Sequence, residues 1–458
     1  MAKSHESTSH SAPSLTPDSG PRTLARKPES GEWSLPGCPC SAGVPYGPAL
    51  KRRTVAVSSH IAVLCIPAHG HIRPALAVTE ELVRRGHRVS FLTPDGFAPA
   101  VRQTGASVVP YASPLAEAFA AGQSVDLPPD QMAWSLVMVQ YECEALIRAA
   151  EEHFTDGPPD LFFHDTSLAF AGRTLGALWN RPAVQSVPSM ASNAHYSDLD
   201  TMFDMIGVPE DHPAIPELFR RAGEVAGEYG LSLPTEELLG WHRPVESVVY
   251  APRVFQTAQE TFGDETAFVG PCFLTEDLTA TWDTPQDDTP LVVISMGTMS
   301  QAQTEFFRTC VRALSGQPWR AVLTVGNGFD TTTLGTVPSN IEVHPWIPQV
   351  AVLEHADVFV TSGGLGSLMG AVHTGTPMVM APHLPEHQVT CVRAAELGLG
   401  VLLDPQEATE EQILTVLRHL IADEATRTEL RRMRELTEAA GGVTRAADML
   451  ESRIRVSG

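Results

Sequence analysis

The stretch VFVTSGGLGSLMGAVHTGTPMVMAPHLPEHQ, from Val358 to Gln388, decides the fold. A β-branched run that ends at Thr361 passes into a glycine-rich turn, then a helical segment, and then a second apolar run from Met378 to Ala381. The first N–H groups of such a helix have no partner within the helix, and the helix dipole adds partial positive charge there. The stretch therefore predicts a strand, helix and strand whose connecting turn suits a phosphate group.

The same pattern opens the regular part of the chain at His60. IAVLCIP, ending at Pro67, is typical of a buried strand, AHGHIRP follows as the turn, and HRVSFLT, ending at Thr93, predicts the next strand. Between the two strands, apolar residues recur on one helical face and Gly86 is a stop signal. These apolar residues are Ile72, Ala75, Leu76, Leu82 and Val83. A strand, helix and strand in this order predict a parallel sheet with right-handed crossovers.

Further apolar runs predict two series of strands. The first series comprises the runs from Asp160 to Asp165, Ala183 to Pro188, Ser247 to Pro252 and Ala267 to Pro271. The second comprises those from Leu291 to Ser295, Ala321 to Val325, Ile341 to His344 and Gly400 to Leu403. A polar segment with Pro and Asp, TEDLTATWDTPQDDTP, lies between the two series and is typical of a linker.

The pattern predicts an α/β chain with two doubly wound, Rossmann-like domains that face each other across a cleft. We assign residues 59–274 to the first domain, 275–290 to the linker and 291–458 to the second domain. Residues 1–58 are rich in Ser, Pro, Gly and Thr, which predicts a disordered extension. The abrupt change at His60 also suggests a translation start near Val55 or Val57. In such sheets ligands bind at the carboxyl ends of the strands, which here would meet at the cleft.

Composition excludes several classes of partner. The 458 residues carry a formal net charge of −23, which repels nucleic acid and anionic membranes. No apolar run reaches the ~20 residues that a membrane span requires. Seven scattered cysteines fit a reducing cytoplasm better than a disulfide framework, and the Cys38/Cys40 pair has no second pair to complete a metal site.

His71 and Asp165 form a candidate acid–base pair. His71 lies in the turn after the first strand, where the positive end of a helix disfavours the imidazolium, and the neutral imidazole is a base near pH 7. Asp165 ends another strand of the same series, so the two side chains could meet at one sheet edge and the carboxylate would fix the imidazole tautomer. A solvated loop histidine and a helix-capping Asp is the alternative. His69 and His164 flank the pair and compete with it for this assignment.

Candidate ligand-binding residues follow strands of the second series. A Trp ring stacks on a nucleobase and a nearby Gln amide reads a base or ribose edge, which makes Trp346 and Gln349 candidates for a nucleotide site. A core Trp beside a polar loop Gln is the alternative. Glu386 and His387 close the next turn, where polar groups could hold hydroxyls, although a surface loop would look the same.

In these motifs the sequence resembles glycosyltransferase family 1, the inverting enzymes of the GT-B fold. Within that family it resembles the bacterial branch that glycosylates macrolides, enediynes and similar aglycones. The likeness covers roughly His60 to Ile454. The motifs that carry it, in the family's order, are AHGHIRPAL, RRGHRVSFLT, PDLFFHD, ISMGT, IEVHPWIPQ, FVTSGGLGS and APHLPEHQ.

The resemblance implies a mechanism and a set of substrates. His71, with Asp165 as its partner, would deprotonate an acceptor hydroxyl that attacks the anomeric carbon of a UDP- or TDP-sugar with inversion. The acceptor would be a hydrophobic, polyketide-like small molecule. No prosthetic group is implied, and no metal, because the helix dipole and backbone donors take its place. A cytoplasmic enzyme is expected, and whether it forms a homodimer is left open.

The resemblance also assigns the donor site. Trp346 and Gln349 would bind the nucleobase side, and Glu386 with His387 would meet the donor sugar. The residues that would hold the diphosphate are Gly297, Thr298, Ser362, Gly363, Gly364, Gly366 and Ser367.

Three positions depart from the family pattern. Ser362 stands where the family usually has His, Gly370 where it usually has a ribose-binding Glu, and Glu386-His387 where it usually has Asp-Gln. A neutral hydrogen bond contributes ~0.5–1.5 kcal/mol against ~1.5–3 for a charge-assisted one, which predicts weaker diphosphate binding. The alternative function is a glycosyltransferase-like protein with a degenerate donor site that performs cyclisation or elimination or acts as a partner subunit.

A second alternative comes from another enzyme class. Gly364, Gly366 and Gly370 form GxGxxxG after a strand, and Glu386 follows about 20 residues later, as in a dinucleotide-binding fold. This signal is weak, because the reading leaves His71 and Asp165 unexplained.

Overall fold

The computed structural model describes residues 58–120, 128–240, 245–283, 288–297 and 303–457. Seven strands form the first sheet, in which all neighbours are parallel and the order is β3-β2-β1-β4-β5-β6-β7. They are β1 (His60–Leu64), β2 (Arg88–Thr93), β3 (Ser107–Pro110), β4 (Leu161–Asp165), β5 (Ala183–Val187), β6 (Ser247–Val249) and β7 (Thr266–Phe268).

Six strands form the second sheet, which is also parallel throughout, in the order β10-β9-β8-β11-β12-β13. They are β8 (Leu291–Ser295), β9 (Arg320–Thr324), β10 (Ile341–His344), β11 (Val358–Thr361), β12 (Met378–Met380) and β13 (Gly400–Leu402). Two parallel sheets with intervening helices confirm the predicted α/β class.

Helices connect the strands of both sheets. The first half of the chain contains α1 (His69–Arg84), α2 (Ala98–Gln103), α3 (Pro114–Ala120), α4 (Pro129–Phe154), α5 (Ala169–Trp179), α6 (Asp198–Ile206), α7 (Ala214–Glu228), α8 (Thr235–Leu239) and α9 (Thr275–Thr279). The second contains α10 (Thr304–Leu314), α11 (Gln349–Leu353), α12 (Leu365–Thr374), α13 (Pro385–Glu396), α14 (Glu410–Ala422), α15 (Glu424–Ala440) and α16 (Gly442–Ser457).

The strands lie where the apolar runs predicted them, with one omission. Each predicted run contains a strand within two or three residues of its expected bounds. The omitted strand is β3, whose four residues SVVP show neither alternation nor a long apolar run, and whose Val109 alone is fully buried. It is found only because it pairs with β2 at the edge of the sheet, from Ser90↔Ser107 onward.

The two halves are held together by side-chain and backbone contacts. The C-terminal helix α16 packs on α1 of the first half, where the guanidinium of Arg85 contacts Asp448 and Glu451. The N–H of Gly442 donates to the carbonyl of Val269 at 2.7 Å. Residues 442–457 were assigned to the second domain by sequence, and the assigned boundaries stay a prediction.

Some predictions concern residues outside the described ranges. The disordered extension, apart from Ser58, lies outside them, as do Cys38 and Cys40. Five described cysteines, Cys65, Cys143, Cys272, Cys310 and Cys391, carry buried free thiols. None of the helices in the described ranges has the length and apolar character needed to cross a membrane.

Candidate active site

Several of the predicted site residues follow strands at which the two sheets reverse their strand order. In the first sheet β1 lies between β2 and β4, and in the second β8 lies between β9 and β11. Parallel sheets bind ligands in the crevice at such a point, outside the carboxyl ends of the strands. His71 follows β1 and Asp165 ends β4, whereas Gly297 follows β8 and Ser362 follows β11. The reversal of strand order therefore places residues that are far apart in sequence at the carboxyl ends of adjacent strands.

His71 and Asp165 form the expected pair. The His71 Nδ1 donates to Asp165 Oδ2 at 2.8 Å, and the Asp165 side chain is fully buried. The other carboxylate oxygen, Oδ1, accepts from the backbone N–H of Ser167 at 2.8 Å, and the Cys65 thiol lies 3.8 Å from Oδ2. Because the carboxylate accepts from Nδ1, the other ring nitrogen of His71 faces the cleft.

Neither flanking histidine competes for this position. The exposed ring of His69 packs edge-on against Phe97. His164 is 2% exposed, its Nδ1 donates to the carbonyl of Asp165, and burial lowers its pKa to about 4. A side chain at Gly172 would overlap the His164 ring, so this imidazole is part of the packing between β4 and α5.

A carboxylate from the second half faces His71 across the cleft. Glu386, in the first turn of α13, places its Oε2 3.9 Å from His71 Nε2. Burial lowers the pKa of His71, but the carboxylate of Asp165 and then that of Glu386 raise it, to about 9. The sequence predicted a neutral imidazole at a helix start. Two carboxylates within 4 Å act against that expectation, because each favours the imidazolium that the helix dipole disfavours.

The glycine-rich turn between β11 and α12 rests on α13. Gly363 has a φ of +87°, and a β-carbon there would overlap the Cys391 sulfur. The hydroxyl of Thr390 donates to the Gly363 carbonyl at 2.6 Å, and the Cys391 thiol lies 3.7 Å from the Ser362 carbonyl. Helix α13 therefore supports the turn on one side. At the start of α12, by contrast, Gly366 is exposed.

Gly363→Ala tests this support. We expect the free energy of unfolding to fall by about 2–4 kcal/mol, because alanine is strained at positive φ and its methyl group overlaps Cys391. Urea unfolding measures the loss. Adding Cys391→Ala to Gly363→Ala should recover the stability lost through steric overlap but not the stability lost through backbone strain. Gly366→Ala, with nothing within 4 Å of the added carbon, is the control and should be nearly neutral; equal losses in both glycine variants would contradict the account.

The remaining diphosphate candidates differ in exposure. Ser362 is 2% exposed, and a β-carbon at Gly297 would lie 3.5 Å from its Oγ, so these two residues pack against each other. Gly364 and Ser367 are half-buried at the start of α12. Thr298 lies outside the described residues.

His387 lies against the same turn. A β-carbon on Gly364 would lie 3.2 Å from its Nε2, and its ring packs edge-on against that of His383. Burial, with the neighbouring histidines His383 and His71, lowers the pKa of His387 to about 3. His387 is therefore neutral, and its Nδ1 has no hydrogen-bond partner among the described residues.

The candidates for the nucleobase side lie at the rim of the second half. Trp346, in the turn after β10, is 61% exposed, which is unusual for so large an apolar side chain. Gln349 begins α11, and its amide nitrogen lies 3.6 Å from the position of a β-carbon on Gly370. A β-carbon at position 370 would thus be in ordinary van der Waals contact with this amide.

Sequence reasoning missed one acidic residue at the cleft. Asp198 begins α6, which packs on α13, and its side chain is 8% exposed. Burial, and then the charge of Glu386, raise the pKa of Asp198 to about 7. Ser197 caps α6, so the Ser-Asp pair could have been identified as a helix start, but nothing in the sequence connects it with α13.

The described residues contain no group of three or more His, Cys, Asp or Glu side chains arranged to hold a metal ion.

Comparisons with known proteins agree with this architecture. Residues 321–451 match the family described as erythromycin biosynthesis protein CIII-like, C-terminal domain. Demethyllactenocin mycarosyltransferase of Streptomyces fradiae is 36% identical over 407 residues, which cover 86% of each chain. Oleandomycin glycosyltransferase of Streptomyces antibioticus is 31% identical, over 88% of this chain and 92% of its own. The crystal structure of the calicheamicin glycosyltransferase CalG4 superimposes with a TM-score of 0.76 at 35% identity, over 87% of this chain and 98% of its own.

Proposed function

Because the chain belongs to glycosyltransferase family 1, in the branch that serves bacterial natural-product pathways, we propose that it is an inverting enzyme acting on a hydroxyl group. It transfers a sugar from a UDP- or TDP-sugar to a hydrophobic aglycone. The observation that carries the proposal is the His71–Asp165 pair, whose free ring nitrogen faces the second half across the cleft.

His71 acts as the general base in this proposal. Its Nε2 takes the proton of the acceptor hydroxyl while the hydroxyl oxygen bonds to the anomeric carbon. The bond from that carbon to the diphosphate breaks, and its electron pair leaves with the nucleoside diphosphate. Asp165 holds the Nδ1 proton and stabilises the imidazolium that forms. A single displacement of this kind inverts the anomeric centre.

The second half binds the donor in this proposal. The start of α12 supplies backbone N–H groups and partial positive charge to the diphosphate, so the leaving group is stabilised without a metal. Trp346 offers an exposed ring for the nucleobase. Glu386 lies between this turn and His71, where the sugar would be held.

The acceptor is proposed to be a polyketide-like aglycone. The names of two relatives refer to demethyllactenocin and oleandomycin, and that of the structural neighbour to calicheamicin. All three are sugar-transfer enzymes of natural products by those names, so a molecule of comparable chemistry is the proposed acceptor here. The same relationship disfavours the dinucleotide-dependent alternative.

Calorimetric titration with UDP, TDP, UDP-glucose and TDP-glucose tests donor binding. We expect a dissociation constant below about 1 mM for at least one nucleotide. Trp346→Ala should weaken it by about 5–150-fold, because base stacking contributes ~1–3 kcal/mol. Trp134→Ala, which removes an exposed tryptophan of the first half, is the control.

Two outcomes would contradict the proposal. Absence of nucleotide binding in the native protein would favour the degenerate donor site, all the more if Ser362→His restored binding. Equal nucleotide affinities in the native protein and Trp346→Ala would mean that the nucleobase does not stack on Trp346.

A further inference from the structure

The ring nitrogen that has to accept a proton lies near a carboxylate of the second half. His71 is 14% exposed, and its Nε2 lies 3.9 Å from Glu386 Oε2. Glu386 keeps 34% of its side chain exposed, so the carboxylate is open to a ligand entering from the cleft. One side chain of the second half thus contacts the base of the first.

This contact opposes the chemistry assigned to His71. An imidazole accepts a proton only in its neutral form, and a carboxylate at this distance stabilises the imidazolium. The carboxylate of Asp165, and then that of Glu386, raise the pKa of His71 and favour its protonated form near pH 7. Of these two carboxylates, Glu386 is the partly exposed one, so its influence can change when a ligand binds.

The place of Glu386 in the fold indicates which ligand that is. The carboxylate projects from the first turn of α13, and the same helix supports the glycine turn through Thr390 and Cys391. One helix thus contacts both the proposed diphosphate site and His71, so a sugar attached to a diphosphate at that turn would extend toward Glu386.

We propose that Glu386 is a positioning residue that favours the protonated form of His71 before a donor binds and releases His71 as a base when the hydroxyls of a donor sugar engage the carboxylate. The inference rests on the proposed function and adds a coupling between donor binding and the basicity of His71. Before donor binding, both ring nitrogens carry protons in this proposal, with Nδ1–H toward Asp165 and Nε2–H toward Glu386. When sugar hydroxyls donate to Glu386, the Nε2 proton passes to solvent, and the neutral nitrogen can then take the acceptor's proton.

The charged and titratable groups around the pair come from four elements. Around His71 these groups are Asp165 at the end of β4, Cys65 after β1, and Glu386 and His387 on α13. Asp198 on α6 interacts with Glu386, and burial raises the pKa of Glu386 itself. Burial, and then the charge of Asp165, raise the pKa of the Cys65 thiol, so it stays neutral and does not change with donor binding. Asp165 is present in both states. Glu386 is the member of this set that a sugar can engage.

Histidine NMR on the full chain tests the proposal without catalysis. With imidazole Cε1 labelled, the His71 signal is identified by its absence in His71→Gln, and its pKa is read from a pH titration. We expect about 9 in the empty protein and a fall of about one unit or more, tenfold in proton affinity, in Glu386→Gln. Glu396→Gln, at the exposed far end of the same helix, should leave the His71 pKa unchanged.

Titrations of the His71 pKa with ligands test whether a donor sugar removes the influence of Glu386. UDP or TDP alone should leave the His71 pKa high, because neither carries a sugar, whereas UDP-glucose or TDP-glucose should lower it by about one unit. If the His71 pKa is unchanged in Glu386→Gln, Glu386 does not keep His71 protonated. If the His71 pKa is unchanged when a nucleotide sugar binds, the donor does not release His71 as a base. If calorimetry detects no nucleotide binding, both the proposed function and the release of His71 by a donor sugar are overturned. A lower His71 pKa in Glu386→Gln without ligand would still show that Glu386 favours the protonated imidazole.

Discussion

His71→Ala is expected to lower the rate of glycosyl transfer by about 10²–10⁴-fold, the usual contribution of a positioned general base. Nucleotide affinity should stay at the native value, because His71 belongs to the half that faces the acceptor. The measurement is kcat with UDP-glucose or TDP-glucose, whichever supports the faster native reaction, and a hydroxylated polyketide as acceptor. Calorimetry with the free nucleotide gives the binding side of the comparison.

Two further variants separate lost chemistry from lost structure. Removing the imidazole leaves the buried Asp165 carboxylate without its 2.8 Å partner, at a cost of about 1–3 kcal/mol of stability. His71→Gln keeps an amide donor toward Asp165 but cannot take a proton, so it should be as slow as His71→Ala and more stable. His69→Ala removes an exposed imidazole from the same turn and should be fully active. A His71→Gln enzyme with near-native turnover would overturn the assignment of the base.

Asp165→Asn is expected to have an effect of similar size, about 10³–10⁴-fold on kcat. The reason is the pattern of donors around the side chain. Both Ser167 N–H and His71 Nδ1–H donate to the carboxylate in the native protein. An amide has one acceptor atom. If its oxygen faces Ser167, its NH₂ faces His71 and forces the proton onto Nε2, and the ring can no longer accept a proton there.

The opposite amide orientation has its own cost, because the NH₂ group then meets the N–H of Ser167 in a buried site. A matched control lies at the start of the same strand, where Asp160 accepts from the backbone N–H of His60 at 2.8 Å. Asp160→Asn should reduce stability at most and leave kcat at the native value. Equal rate losses in the two variants would mean that Asp165 acts only through the fold.

The enzyme divides its chemistry between two sheets that share one construction. In each, the strand order reverses at the first strand, β1 or β8, and candidate site residues follow that strand and its neighbour β4 or β11. The first sheet supplies an imidazole and its carboxylate, and the second supplies a glycine turn at a helix start. Family membership establishes a glycosyltransferase of a natural-product pathway, while the donor, the acceptor and the roles of the individual residues are the proposals that the experiments above address.

The amino-acid sequence by itself determined the strands, the parallel sheets and the pairing of His71 with Asp165. These features follow from local pattern: buried β-branched runs, helical periodicity, and the rule that carboxyl ends of parallel strands share an edge. β3 escaped because a strand of four residues with a terminal proline carries almost no periodic signal, and its place depends on pairing with β2.

Only the tertiary structure decided which residues contact each other across the fold and how they change each other's properties. The pKa of His71 is raised first by Asp165 and then by Glu386, which lies more than 300 positions along the chain. A side chain at position 363 is excluded by Cys391, which packs against Gly363. Steric overlap ends within a few ångströms, and the attraction between charges weakens with their separation. Both effects are therefore set by how α13 docks against α6, and no local pattern in the sequence records those distances.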